Sequence, residues 1–278
     1  MLSTLFTLSG LLVATSALAI PDKTHNSLSI RHEGLDDTVT STSNSTLRGG
    51  AVWDHGPSAI GGQFIVPEAK VPGSAMHPGN YSAGILLGID NFHTNGSAGL
   101  KAGVYISAEK PADNSTTSAN STRTSYNAFY EWPPSIPETI IPSEELAVKA
   151  GDVVFITIGS KGHVHFSINN HAGNRTDTIF DKTLNATTPL TGNSTSFLIE
   201  NCAISGCRGG NDMGLANFGS VVLNNTAGPD ILHPSYLTLL EGGFTLADGV
   251  KPRTNASVVN DPHTTIGIEI KYMDQAMD

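Results

Sequence analysis

An all-β fold of the sandwich or barrel type is what this sequence predicts, on three observations. Short runs rich in Val, Ile, Phe, Thr and Tyr recur from Gly49 onward, each of strand length. Gly, Pro, Asn and Ser separate them, and no stretch of ten or more residues carries a convincing 3.6-residue period. Many short strands with turn chemistry between them close into one core as a sandwich or barrel.

In chain order the runs are 59–66 (AIGGQFIV), 83–89 (AGILLGI), 103–106 (GVYI) and 126–132 (YNAFYEW). They continue with 153–158 (VVFITI), 164–168 (VHFSI), 195–199 (TSFLI), 219–223 (GSVVL) and 265–272 (TIGIEIKY). Between the third and fourth runs lies 111–124 (PADNSTTSANSTRT), whose two N-x-[ST] sequons make it an exposed loop.

The N-terminus predicts a compartment. Residues 1–19 hold the apolar run 11–14, with Leu2, Leu5, Phe6 and Leu8 before it, and end in Ala17-Leu18-Ala19. That is the small-x-small pattern of a cleaved signal peptide, and the apolar stretch is too short to span about 30 Å of hydrocarbon. Residues 20–47 are polar and aperiodic, as expected of a propeptide or disordered leader, so the folded domain is expected at 48–278. Ten sequons, at Asn44, Asn80, Asn95, Asn114, Asn120, Asn174, Asn185, Asn193, Asn224 and Asn255, suit a secreted, extracellular glycoprotein. In an oxidising compartment the only two cysteines, Cys202 and Cys207, are expected to form a small-loop disulfide.

Composition excludes several partners. Acidic residues outnumber Lys and Arg by 25 to 15, for a net charge of −10, so no basic patch exists to neutralise nucleic acid. No Lys/Arg cluster addresses an anionic membrane, and a weakly charged acidic surface suits an acidic medium. About 250 residues remain after the signal, enough for one large domain, expected to be monomeric. His163 and His165 share one face of a predicted strand, with His171 past a turn. No Asp, Glu or Cys at metal-site spacing accompanies them, so a solvated strand face is expected, with no metal and no cofactor.

Four ordered segments carry a family resemblance. The first is Gly49-Gly50-Ala51-Val52 followed by Ile60-Gly61-Gly62-Gln63-Phe64-Ile65-Val66-Pro67. Next come Leu87-Gly88-Ile89-Asp90 and Leu100-Lys101-Ala102-Gly103-Val104, then Tyr126-Asn127-Ala128-Phe129-Tyr130-Glu131-Trp132-Pro133-Pro134. Last are Phe197-Leu198-Ile199-Glu200 and Leu215-Ala216-Asn217-Phe218-Gly219-Ser220-Val221. Together they resemble the eqolisins, the fungal glutamic peptidases, over roughly residues 48–272.

The resemblance implies a two-sheet, antiparallel, concanavalin A-like sandwich and acid endopeptidase chemistry. In that family a Glu activates water as general acid/base, and a Gln amide positions the water and stabilises the oxyanion. The Gln of L-Q-T-G-V aligns with Lys101, and the Glu preceding W-I-V-E aligns with Ser196, so both side chains are substituted here. Tyr105 stands where the family has an Asp, and Arg48 where it has a Trp. Glu200 shares a strand face with Ser196 but lies roughly 13 Å further along, too far to replace it. Asp90, Glu131, Trp132 and Glu200 are candidate cleft residues, with loop and strand-end support as the plainer role for Asp90 and Glu131.

Three function classes follow: an impaired homologue binding an extracellular peptide or other ligand, an active acid endopeptidase with a rearranged site, and a carbohydrate-binding module. A Ser196–Lys101 dyad is a chemical variant of the second and needs a lysine of depressed pKa. The third is weakest, since Trp53 and Trp132 are the only tryptophans and no E-x-D-x-E strand motif occurs.

Overall fold

A computed structural model gives the architecture. The structure describes residues 41–45, 48–54, 59–75, 77–90, 99–112, 122–170, 178–202, 212–226, 237–243, 253–260 and 266–273. The chain divides into two compact units, 1–36 and 37–278, and all described residues belong to the second.

That unit is built from β1 (Ser41–Ser45), β2 (Arg48–Trp53), β3 (Ala59–Ile65), β4 (Gly79–Ile89) and β5 (Leu100–Lys110). Then follow β6 (Arg123–Trp132), β7 (Ile136–Ile140), β8 (Asp152–Gly159), β9 (His163–Asn170) and β10 (Thr178–Thr183). The series ends with β11 (Thr195–Asn201), β12 (Ser220–Asn225), β13 (Leu237–Gly243), β14 (Arg253–Asn260) and β15 (Ile266–Met273).

All nine predicted runs fall on strands, and the sandwich alternative holds. The strand order is β10-β9-β8-β3-β12-β15-β14 for one seven-stranded antiparallel sheet and β13-β2-β11-β4-β5-β6-β7 for the other. The two meet at β13 and β14, through Gly242↔Thr254 and Gly243↔Arg253. β1 lies inside the segment expected as leader, and it pairs with β13 in parallel, from Ser41↔Thr238 to Ser45↔Gly242. Of the 111–124 loop, only the ends are described, and its last two residues belong to β6, where Thr124 and Arg123 pair with Ala108 and Glu109 of β5.

Burial explains the sequence textures. Strand β8 alternates, with Val154, Ile156 and Ile158 turned inward, because one face of its sheet packs on the core and the other meets solvent. Strands β4, β5 and β11 are instead buried along both faces, so they read as continuous apolar runs. The main core between the sheets gathers Trp53, Phe64, Ile85, Val104, Ile156, Phe166, Phe197 and Ile268 among others. A second, smaller cluster of Val52, Leu86, Tyr105, Phe129, Leu198, Cys202 and Leu240 covers the opposite face of the second sheet. That opposite face carries the candidate site.

Candidate functional site

Strand register lays out the site before any side chain is considered. Across the second sheet, Val52, Ser196, Gly88, Lys101 and Glu131 stand in one row. Four residues along, on the same face, Arg48, Glu200, Gly84, Tyr105 and Asn127 form another. With strands about 4.8 Å apart, Ser196 and Lys101 stand roughly 10 Å from each other, on either side of Gly88. The register brings these two positions to the same end of the same face.

Their side chains do not meet in a dyad. The Lys101 ammonium donates to Glu131 Oε1 at 2.7 Å and to Glu200 Oε2 at 2.9 Å. Arg48 Nε holds the other Glu200 oxygen at 2.7 Å. Positive and negative groups thus alternate from Arg48 through Glu200 and Lys101 to Glu131. Strand β4 lies beneath this line and offers only Gly84, Leu86 and Gly88 to the face, so Lys101 crosses it without obstruction. A Cβ at Gly84 would stand 3.0 Å from the Tyr105 ring and 3.8 Å from Glu200 Cβ, which shows how closely the gap is filled. Tyr105 stacks on Phe129 with ring centroids 3.8 Å apart, and its hydroxyl donates to Glu138 at 2.7 Å.

Charge states follow from burial and partners. Burial alone would depress Lys101, but Glu200 and then Glu131 outweigh it and push the ammonium above its ordinary value. Burial also disfavours the Glu200 carboxylate, yet Lys101 and Arg48 reverse this and hold it below the usual range. For Glu131 burial wins over Lys101, because that lysine is already shared with Glu200, and its pKa is raised. Burial, with Glu138 next, pushes the Tyr105 phenol far up, so it stays neutral. The line is closed to solvent except at Arg48, Lys101 and Glu131, whose side chains keep 12%, 11% and 13% exposure. Ser196 is wholly buried.

The remaining expected residues fall in different places. Asp90 has φ of 59° at the end of β4, and its carboxylate accepts from the backbone N–H groups of Thr191, Gly192, Asn193 and Ser194. It clamps the connection that leads into β11, and so sets the position of Ser196 from a distance. Trp132 turns to the other face of β6 and packs in the main core, against Gly162, where an added Cβ would come within 2.6 Å of its ring. Cys202 is buried at the end of β11, and Cys207 lies outside the described residues. Sequence reasoning missed Glu138, whose only signal was an acid turned inward on the short edge strand β7.

The histidines acquire a partner that spacing did not show. His163 and His165 both point out from β9, and Asp181 on β10 lies directly opposite His165. One carboxylate oxygen meets His163 Nε2 at 2.9 Å and the other meets His165 Nδ1 at 3.2 Å. The three groups pair with one another instead of converging on one point, and among the described residues no cluster suited to a metal ion is present. His171 lies outside the described residues, as do Asn95, Asn114, Asn120 and Asn174; the Asn44 side chain is also undescribed.

Comparison with known proteins gives three findings. The model of the peptidase A4 family matches residues 46–230. No curated protein sequence matches. Among solved structures, the chain is similar to scytalido-glutamic peptidase with a transition-state analogue inhibitor, at 16% identity and a TM-score of 0.52. It is also similar to SCP-B, an eqolisin-family peptidase in complex with the tripeptide Ala-Ile-His, at 16% identity and a TM-score of 0.50. Each match covers 82% of this chain and 99% of the other.

Proposed function

From the premise that the chain belongs to the peptidase A4 family, the eqolisins, we propose that it is a secreted glycoprotein that binds an extracellular peptide or other ligand and has lost proteolysis. One observation carries the reading: the ammonium of Lys101, at the family's glutamine position, is bound by Glu131 and Glu200 together. A lysine in two ion pairs stays protonated in acid and at neutrality, so it neither accepts a proton from water nor serves as base for Ser196. Ser196 brings no carboxyl, and its burial keeps bulk water away. Glu200 cannot take over, since both of its oxygens are occupied by cations. The two tryptophans are 1% and 4% exposed, so neither offers a stacking face to a sugar.

The second reading, an acid endopeptidase with a rearranged site, has one observation in its favour. Glu131 is a partly exposed carboxyl whose pKa is raised, as a general acid requires. The test is an assay of the secreted protein on casein and haemoglobin across the acid range, with pepstatin present. No cleavage above a heat-killed control is expected. Robust pepstatin-insensitive cleavage, abolished by Glu131→Gln, would establish the second reading and sink the first.

A further inference from the structure

Five of the ten sequons have described side chains, and their surroundings differ sharply. Asn185, Asn193 and Asn255 are exposed. Asn80 lies in β4, paired with Glu109 of β5, while its carbonyl accepts from Met213 N at 2.7 Å. Its Nδ2 donates to Asp212 Oδ1 at 2.6 Å and to Ser82 Oγ at 3.1 Å. Asn224 is half-buried.

The chemistry of N-glycosylation separates these sites. The sugar replaces one of the two hydrogens on Nδ2, so a modified asparagine retains a single N–H donor. At Asn80 both hydrogens are in use, and Asp212 stands where the first sugar would go. Losing a hydrogen bond to a carboxylate whose other oxygen is already buried without a partner costs more than an ordinary exposed bond. Asn185 and Asn193 have no such constraint, and both sit on the connection between β10 and β11. That connection is stitched down at Leu184 N to Gly162 O, at Thr187 N to Ser135 Oγ, and at 191–194 to Asp90. Ser135 follows β6 and Asp90 ends β4, so the stitches follow the end of the sheet that holds Ser196, Lys101 and Glu131. Asn255 points outward from β14, beside Ser257 on the same exposed face.

We propose that Asn185, Asn193 and Asn255 carry N-linked glycans whereas Asn80 stays bare, and that the first two glycans stand along the Ser196 end of the site. The inference rests on the secretion reading. Glycopeptide mapping of the full chain, secreted from a eukaryotic host, tests it, with deamidation by a glycopeptidase in heavy-oxygen water marking each occupied Asn. The expected result is label at Asn185, Asn193 and Asn255 and none at Asn80. Label at Asn80 in the folded protein, or bare Asn185 and Asn193 beside other occupied sites, overturns the inference alone. A chain that remains in the cell with no label anywhere overturns the secretion reading. Two variants check the cause. Ser82→Ala destroys the Asn80 sequon and should leave the total glycan mass unchanged. Asn80→Gln should lower the thermal midpoint while Asn193→Gln leaves it in place; equal midpoints would remove the structural reason for a bare Asn80.

Discussion

At the scale of single residues, the decisive fact is that one lysine neutralises two carboxylates. Removing a partner from a buried ion pair strands the other charge, at about 3–5 kcal/mol. Glu200→Gln should therefore cost about that much at neutral pH, because Arg48 and Lys101 both lose it. The folded-state pKa of Glu200 is lowered, so its contribution is present above the unfolded carboxylate range and is lost as pH falls through the folded value. Glu131 has the opposite sign: its folded pKa is raised, so ionising it opposes folding, and the penalty disappears as pH falls below the unfolded range. Glu131→Gln should accordingly cost less than Glu200→Gln at pH 7. Urea denaturation of both variants at pH 4 and pH 7 measures the two differences; a costlier Glu131→Gln at pH 7 would refute the assignment. Asp90 is a different kind of residue. Asp90→Ala leaves four backbone donors without their acceptor, and a loss of about 2–3 kcal/mol is expected in the same denaturation experiment.

Among the elements, legibility depended on burial and on neighbours. Strands β4, β5 and β11 were readable because both of their faces are covered, and β8 and β9 because one face is. Six strands lie outside the predicted runs, and three of them, β7, β14 and β1, had a local reason. In β7, Pro137 and exposed Ile140 mark an edge strand, a place where sequence rules allow proline but give little pattern. In β14 the inward positions are Thr254, Ala256 and Val258, while Val259 is exposed, so alternation exists with little hydrophobic contrast. β1 has no apolar residue at all and is placed only by backbone pairing along β13. Gly103 shows how tightly the central strands approach one another. An added Cβ there would collide with the carbonyl oxygen of Ile85 on β4, which is backbone and cannot swing aside. Gly103→Ala should abolish folding, whereas Gly151→Ala, with nothing near its Cβ, should lower stability only through its φ of 84°. Yields of soluble folded protein compare the two.

For the whole molecule, the two sheets share one core but only a short seam of register pairs at β13 and β14. Local stability should follow that plan. Amides of β4, β5 and β11 should exchange slowest, and those of edge strands β7 and β10 and of the seam fastest. Hydrogen exchange followed by mass spectrometry gives the order directly, and fast exchange in β11 would contradict it. At this scale the sequence motifs carried the fold, and positions 101 and 196 share one face of it. The motifs did not carry the state of the site. Lys101 reaches Glu200 across the glycines of a strand that lies between them, a relation between three separate segments that spacing along one chain does not encode.

The line of charges also bears on which residues can be exchanged. A change of Lys101 to Gln alone leaves Glu131 and Glu200 with only Arg48 between them. A change of Ser196 to Glu alone adds a further carboxylate to a buried face whose cations are already engaged. Made together, the two changes set three carboxylates against one arginine. Each of these replacements, alone or together, is therefore expected to lower stability at neutral pH. Such a tie therefore holds positions 101 and 200 against single replacements, because each charge is kept in place by the others.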